Sequence, residues 1–113
     1  MLRTKKHLNK IKNLKEYYDV IENNDLVIIY WYTKWCPDCF VLKYALPRLE
    51  KDFEDYDFYS VNRDKEIELA KHLNIVGIPS FLIYKNGVEL DRLVDKKRKS
   101  YMQVKDFITD AIK

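Results

Sequence analysis

No stretch of this 113-residue chain is both long and apolar. The longest such run, Leu26 to Tyr32, is far short of the roughly 20 residues that a membrane-spanning helix needs. Residues 1 to 15 carry Arg3, Lys5, Lys6, Lys10, Lys12 and Lys15 and no acid, yet no apolar segment of secretory-leader length and no small-residue cleavage site follow. A cytoplasmic location with no membrane partner is therefore the expectation. Cysteine occurs only as Cys36 and Cys39, too few for a disulfide framework, and a domain of this length buries enough surface to fold without one. Histidine occurs only as His7 and His72, both far from the cysteines; a zinc site usually takes four ligands of recognisable spacing, so no metal is expected and both histidines are assigned surface or packing roles. Repeats, linkers and low-complexity segments are absent.

Charge is also nearly balanced. A net +3 does not imply nucleic acid, and the run Lys96-Lys97-Arg98-Lys99 is offset by Glu50, Asp52, Glu54, Asp55 and Asp57, so it reads as a solvated face. What remains is an ordinary packed domain spanning residues 1–113: 47% of residues are hydrophobic, 14% aromatic and 35% charged. Within it, Trp35-Cys36-Pro37-Asp38-Cys39 holds every thiol. In a reducing compartment such a lone pair is catalytic or metal-binding rather than structural.

The elements around that pair follow from periodicity. Leu8 and Ile11 are the sparse apolar positions of a short edge strand within residues 1–12. Asn13 caps a helix with Leu14, Tyr17, Tyr18 and Ile21 at i, i+3, i+4, i+7 spacing. Leu26 to Tyr32 is continuously β-branched and aromatic, the pattern of a strand buried on both faces and central in its sheet. Pro37 suits the first turn of a helix, with Phe40, Val41, Tyr44, Leu49 and Phe53 as its apolar positions and Pro47 dividing it. Tyr56 to Val61 reads as a strand, and Asp64 caps a short helix with Ile67, Leu69, Ala70 and Leu73 that stops at Asn74. Ser80 to Tyr84 and Val88 to Leu93 flank Asn86-Gly87, the strongest short hairpin signal, and Ser100 with Gln103 opens a last helix carrying Met102, Val104, Phe107, Ile108, Ala111 and Ile112. The order is βαβαβαββα. Helical crossovers require parallel strands with helices on both faces, and the hairpin adds an antiparallel edge, so the fold class is α/β with a mixed sheet.

A Trp-Cys-x-x-Cys that follows a buried strand and opens a helix, with Gly77-Ile78-Pro79-Ser80-Phe81 and an Asn-Gly hairpin downstream, resembles the thioredoxin family over about Asn13 to Ile112. The likeness is to small bacterial thioredoxin-like proteins with Trp-Cys-Pro-Asp-Cys more than to thioredoxin itself, which has Gly-Pro between its cysteines. It implies the thioredoxin fold, a cis peptide at Ile78-Pro79 beside the cysteines, and substrate contacts from Trp35, Ile78 and Pro79. It further implies a thiol-disulfide oxidoreductase in which Cys36 attacks a substrate disulfide and Cys39 resolves the mixed disulfide. The partners it implies are disulfide-bearing proteins or small thiols, with a reductase or thiol as electron donor. No cofactor is expected beyond the Cys36-Cys39 disulfide, and a monomer is expected.

Four positions tune this expectation. Pro37 starts a helix whose unpaired N–H groups favour a Cys36 thiolate, while the Asp38 carboxylate opposes it and biases the pair toward donating electrons. Tyr30 and Ser60 stand where the family keeps a buried acid and a lysine, leaving Asp38, Tyr30 or water to move the proton of Cys39. Two other functions compete: a metal or metal-thiolate carrier, since two thiolates suit soft ions such as Cu(I), and a redox-inactive module docking through Lys96 to Lys99.

Overall fold

The computed structural model describes residues 9–113. Leu8, His7 and the basic residues before them lie outside the described residues. Seven apolar or aromatic residues make β2, Leu26–Tyr32, and it takes the centre of a five-stranded sheet of order β1-β3-β2-β4-β5. Its parallel partner is β3, Asp57–Asn62, and its antiparallel partner is β4, Ser80–Lys85. The edges are β1, Asn9–Lys10, parallel to β3, and β5, Val88–Leu93, antiparallel to β4. Asn86 and Gly87 both have positive φ, as the tight hairpin between β4 and β5 requires.

Side chains of β2 alternate between two cores. Val27, Ile29 and Trp31 pack with Tyr17 and Ile21 of α1, Leu14–Asn23, and with Leu69 and Ala70 of α4, Ile67–His72. Ile28 and Tyr30 pack on the other face with Leu42 of α2, Pro37–Lys43, with Leu46 and Leu49 of α3, Leu46–Asp52, and with Val104 and Ile108 of α5, Tyr101–Ala111. Each fully buried aliphatic side chain here is worth about 1.5–3 kcal/mol of burial, so β2 is held from both sides. Asn13 and Ser100 cap α1 and α5, accepting from the backbone N–H groups of Glu16 and Gln103.

Three expectations are corrected. The inward face of α2 and α3 is Cys39, Leu42, Leu46 and Leu49, while Phe40, Val41 and Tyr44 are exposed. Once Cys39 is turned inward, one residue per helical turn must follow it, and Phe40 and Tyr44 pair edge to face outside. Leu14, Tyr18 and Met102 are likewise exposed. Glu66, not Asp64, precedes α4, without a side-chain cap; the backbone N–H of Asp64 is held by Asn62 Oδ1 in a local turn. Pro47 does divide the helix, into α2 and α3, and Asn74 ends α4 with a φ of 57°.

Candidate active site

The C-terminal end of β2 delivers the chain to the two cysteines, and Pro37 starts α2 between them. Cys36 is the N-cap residue, with its Sγ accepting from the backbone N–H of Cys39 at 3.2 Å. An otherwise orphaned helical N–H thus points at the sulfur. Both thiols are free and nearly enclosed, Cys36 at 6% exposure and Cys39 at 3%. Burial first, then the bond from Cys36, pushes the Cys39 thiol up to about 12; the Thr33 backbone and the Tyr30 hydroxyl act the other way. Cys39 is therefore a protonated thiol in the resting site.

Tyr30 donates its hydroxyl to the backbone carbonyl of Cys39 at 3.2 Å. Burial, reinforced by Cys39, holds its phenol far above the ordinary tyrosine value, so at neutral pH Tyr30 is a donor and not a base. Asp38 sits one residue before Cys39, but its Oδ1 accepts from Arg98 Nε at 3.1 Å. The carboxylate expected to oppose a Cys36 thiolate is thus paired with a cation, which offsets part of its charge. Ser60 is buried in β3, opposite Tyr30 in the strand register.

Trp35 is 66% exposed and its indole N–H donates to the Asp64 carboxylate. Ile78 and Pro79 are buried, the peptide between them is cis, and Ile78 belongs to the same apolar cluster as both cysteines. Val76, next to them, is 62% exposed. Gly77 is required by close approach: a Cβ there would lie 2.4 Å from the Asp95 carbonyl and 2.6 Å from Lys96 N. The segment after β5 is thereby pressed against the Ile78-Pro79 turn. Lys99 in this segment is fully enclosed, its ammonium donating to Asp95 Oδ1 and to the Lys97 carbonyl, both at 2.7 Å. The reading of Lys96 to Lys99 as a solvated face holds for Lys96, Lys97 and Arg98, which are exposed, and is corrected at Lys99, a buried brace; Arg98, though exposed, reaches Asp38 in the cysteine turn.

Sequence reasoning thus missed Arg98, Asp64 and Thr33, whose buried hydroxyl has no hydrogen-bond partner among the described residues. Arg98 lies 60 residues from Asp38, and no local pattern connects them. Among the described residues no three His, Cys, Asp or Glu side chains gather in a way that could hold a metal. His72 is on the surface beside Tyr18.

A free dithiol at a helix start, at the end of the central strand of a mixed sheet, defines a dithiol-disulfide exchange protein. The comparisons with known proteins agree. The thioredoxin family model matches residues 9–110, and the chain belongs to the thioredoxin family. It is similar to thioredoxin AMT13 of Alternaria alternata, with 30% identity over 84% of this chain and 81% of that one. Thioredoxin H2 of Arabidopsis thaliana is 28% identical over 81% of this chain, which spans 62% of that protein's length. The crystal structure of oxidised mitochondrial thioredoxin 3 from Saccharomyces cerevisiae superimposes with a TM-score of 0.83, covering 91% of this chain and 94% of that one at 24% identity. By family the chain is a thiol-disulfide oxidoreductase of the protein-disulfide reductase class.

Proposed function

We propose that this chain works in the cytoplasm as a monomeric disulfide reductase that needs no cofactor beyond its own Cys36-Cys39 couple. The observation that carries the reading is the N-cap sulfur of Cys36, met by the Cys39 N–H at 3.2 Å, with the Cys39 thiol enclosed behind it. The Cys36 thiolate attacks one sulfur of a substrate disulfide; the substrate S–S bond breaks, and the departing thiolate takes a proton from solvent. Cys39 then loses its proton and attacks Cys36 Sγ, releasing the second substrate thiolate and leaving the Cys36-Cys39 disulfide. The substrate gains two electrons and the chain loses two. A flavin-dependent reductase or a small thiol returns them.

Trp35 and the turn at Ile78 and Pro79 are the natural substrate contacts, the first an exposed aromatic and the second the wall beside the cysteines. An insulin-reduction assay with metal analysis of the purified chain tests the reading. Turnover should vanish in Cys36→Ser, and Cys39→Ser should accumulate the mixed disulfide. One retained metal ion per chain with no reduction of insulin would overturn it in favour of the metal-thiolate carrier.

A further inference from the structure

A cavity of about 570 Å³ lies between the α2–α3 pair and the β1–β3–β2 half of the sheet, within the range of small-molecule sites. Its lining includes Cys39 but neither Cys36, Trp35, Ile78 nor Pro79, so it is separate from the substrate face. Two features are unusual for a surface depression of a stable domain. Thr33 is on the wall, and its buried hydroxyl has no hydrogen-bond partner among the described residues, an unmet polar group behind the lining. Lys10, Lys34 and Lys43 also line the cavity, and none of them makes an ion pair among the described residues. Among the described residues Glu50 is the one carboxylate on the lining, against three lysines.

The rest of the lining is mainly aromatic and aliphatic. Tyr30 and Tyr32 lie with their rings nearly parallel, 5.6 Å apart, and Phe40 contributes from α2. Lysines around an aromatic-lined hollow, with an unmet hydroxyl, suit a flat apolar body bearing one negative group. Ser60 matters here because its small side chain forms part of the lining, where a long one would fill the space.

We propose that this cavity is a binding site for a small aromatic carboxylate, held by the lysines through its charge and by the tyrosines through its ring. Such a ligand sits against the resolving cysteine's residue and does not cover Cys36, which is not on the lining. The test is an amide-resolved NMR titration of the full reduced chain with 2-naphthoate as probe, beside 2-naphthylmethanol, which lacks the charge, and acetate, which lacks the ring. Saturable shifts are expected at Thr33, Lys34, Phe40 and Lys43 and not at the Trp35 indole or Ile78. The alcohol and acetate should each bind at least tenfold more weakly, and a Lys34→Gln/Lys43→Gln variant should weaken 2-naphthoate at least tenfold. Both substitutions are at exposed positions, and an unchanged melting temperature verifies the fold. Shifts centred on Trp35 and Ile78, equal binding of the alcohol, or no saturation would each overturn the proposal, whatever the outcome of the insulin assay.

Discussion

Asp38 and Arg98 act on the Cys36 sulfur with opposite signs, and the pair is only partly shielded, with 31% and 73% of their side chains exposed. An ion pair of that kind is worth at most about 1 kcal/mol. Negative charge near the thiolate favours the disulfide and makes the dithiol a stronger donor; positive charge does the reverse. Asp38→Asn should therefore raise the reduction potential and Arg98→Ala lower it, each by about 20 mV or less, since about 30 mV corresponds to 1.4 kcal/mol. The double variant should return close to the parent. A glutathione titration reads all three, and an Arg98→Ala potential equal to or above the parent's would show that Asp38 acts unshielded. Tyr30 carries a related prediction. Because its phenol stays protonated, Tyr30→Phe should cost about 1 kcal/mol of stability for one lost hydrogen bond but leave the pH dependence of the Cys39 step unshifted. A shifted profile in single-turnover kinetics would make Tyr30 the proton carrier after all. The cysteines, Tyr30 and Ser60 were legible because they are placed by counting along neighbouring strands and turns. Arg98 was not, since only the folded chain brings a residue 60 positions away to Asp38.

At the scale of elements, the decisive contact is between the Ile78-Pro79 turn and the segment that joins β5 to α5. Backbone meets backbone at Gly77, so a methyl group can be admitted only if the whole segment moves. Gly77→Ala should destabilise the chain by about 1–3 kcal/mol, as overpacking does. It should also disturb the Asp38–Arg98 pair, because Arg98 belongs to the displaced segment. Urea denaturation with NMR of the Arg98 side chain would read both effects; a stable variant with Arg98 in place would show that the segment yields freely. Sequence patterns located this segment only as a basic run, because what makes Lys99 a brace is the enclosure supplied by the fold. The same limit explains α2. Its apolar residues run around more than one face, and only the inward-turned Cys39 decides that Leu42 and Leu46 are buried while Phe40 and Tyr44 are not. The two-faced burial of β2 and the Asn-Gly hairpin were plain from sequence, since a continuous β-branched run and a left-handed turn dipeptide each admit few alternatives.

For the molecule as a whole, the stability of the reduced chain is linked to pH through the buried Cys39 proton. The folded chain keeps the Cys39 thiol protonated well above the 9.0 of an ordinary thiol, chiefly because burial disfavours the thiolate, whereas the unfolded chain releases that proton near 9.0. Above that pH the native state binds more protons than the unfolded state. Its stability is thus undiminished below about pH 9 and falls as pH rises toward the folded-state value. The oxidised chain has no such proton to lose. Tyr17 and Tyr30 are also raised, but from 10.0 and chiefly by burial, which does not depend on the state of the thiols, so most of their effect should cancel in a comparison. Asp95 is lowered by its bond to Lys99, so stability is present above the ordinary carboxylate range and lost as pH falls through it, well below the range in which the thiols act. The stability gap between oxidised and reduced chain should therefore be flat from pH 6 to 8. It should widen by about 1 kcal/mol by pH 10, the linkage expected for one pH unit above the unfolded thiol value. Urea midpoints of both forms across that range measure the gap. A gap that stays constant to pH 10 would mean that Cys39 ionises in the folded chain as it does in the unfolded one, and that resolution needs no special path for its proton.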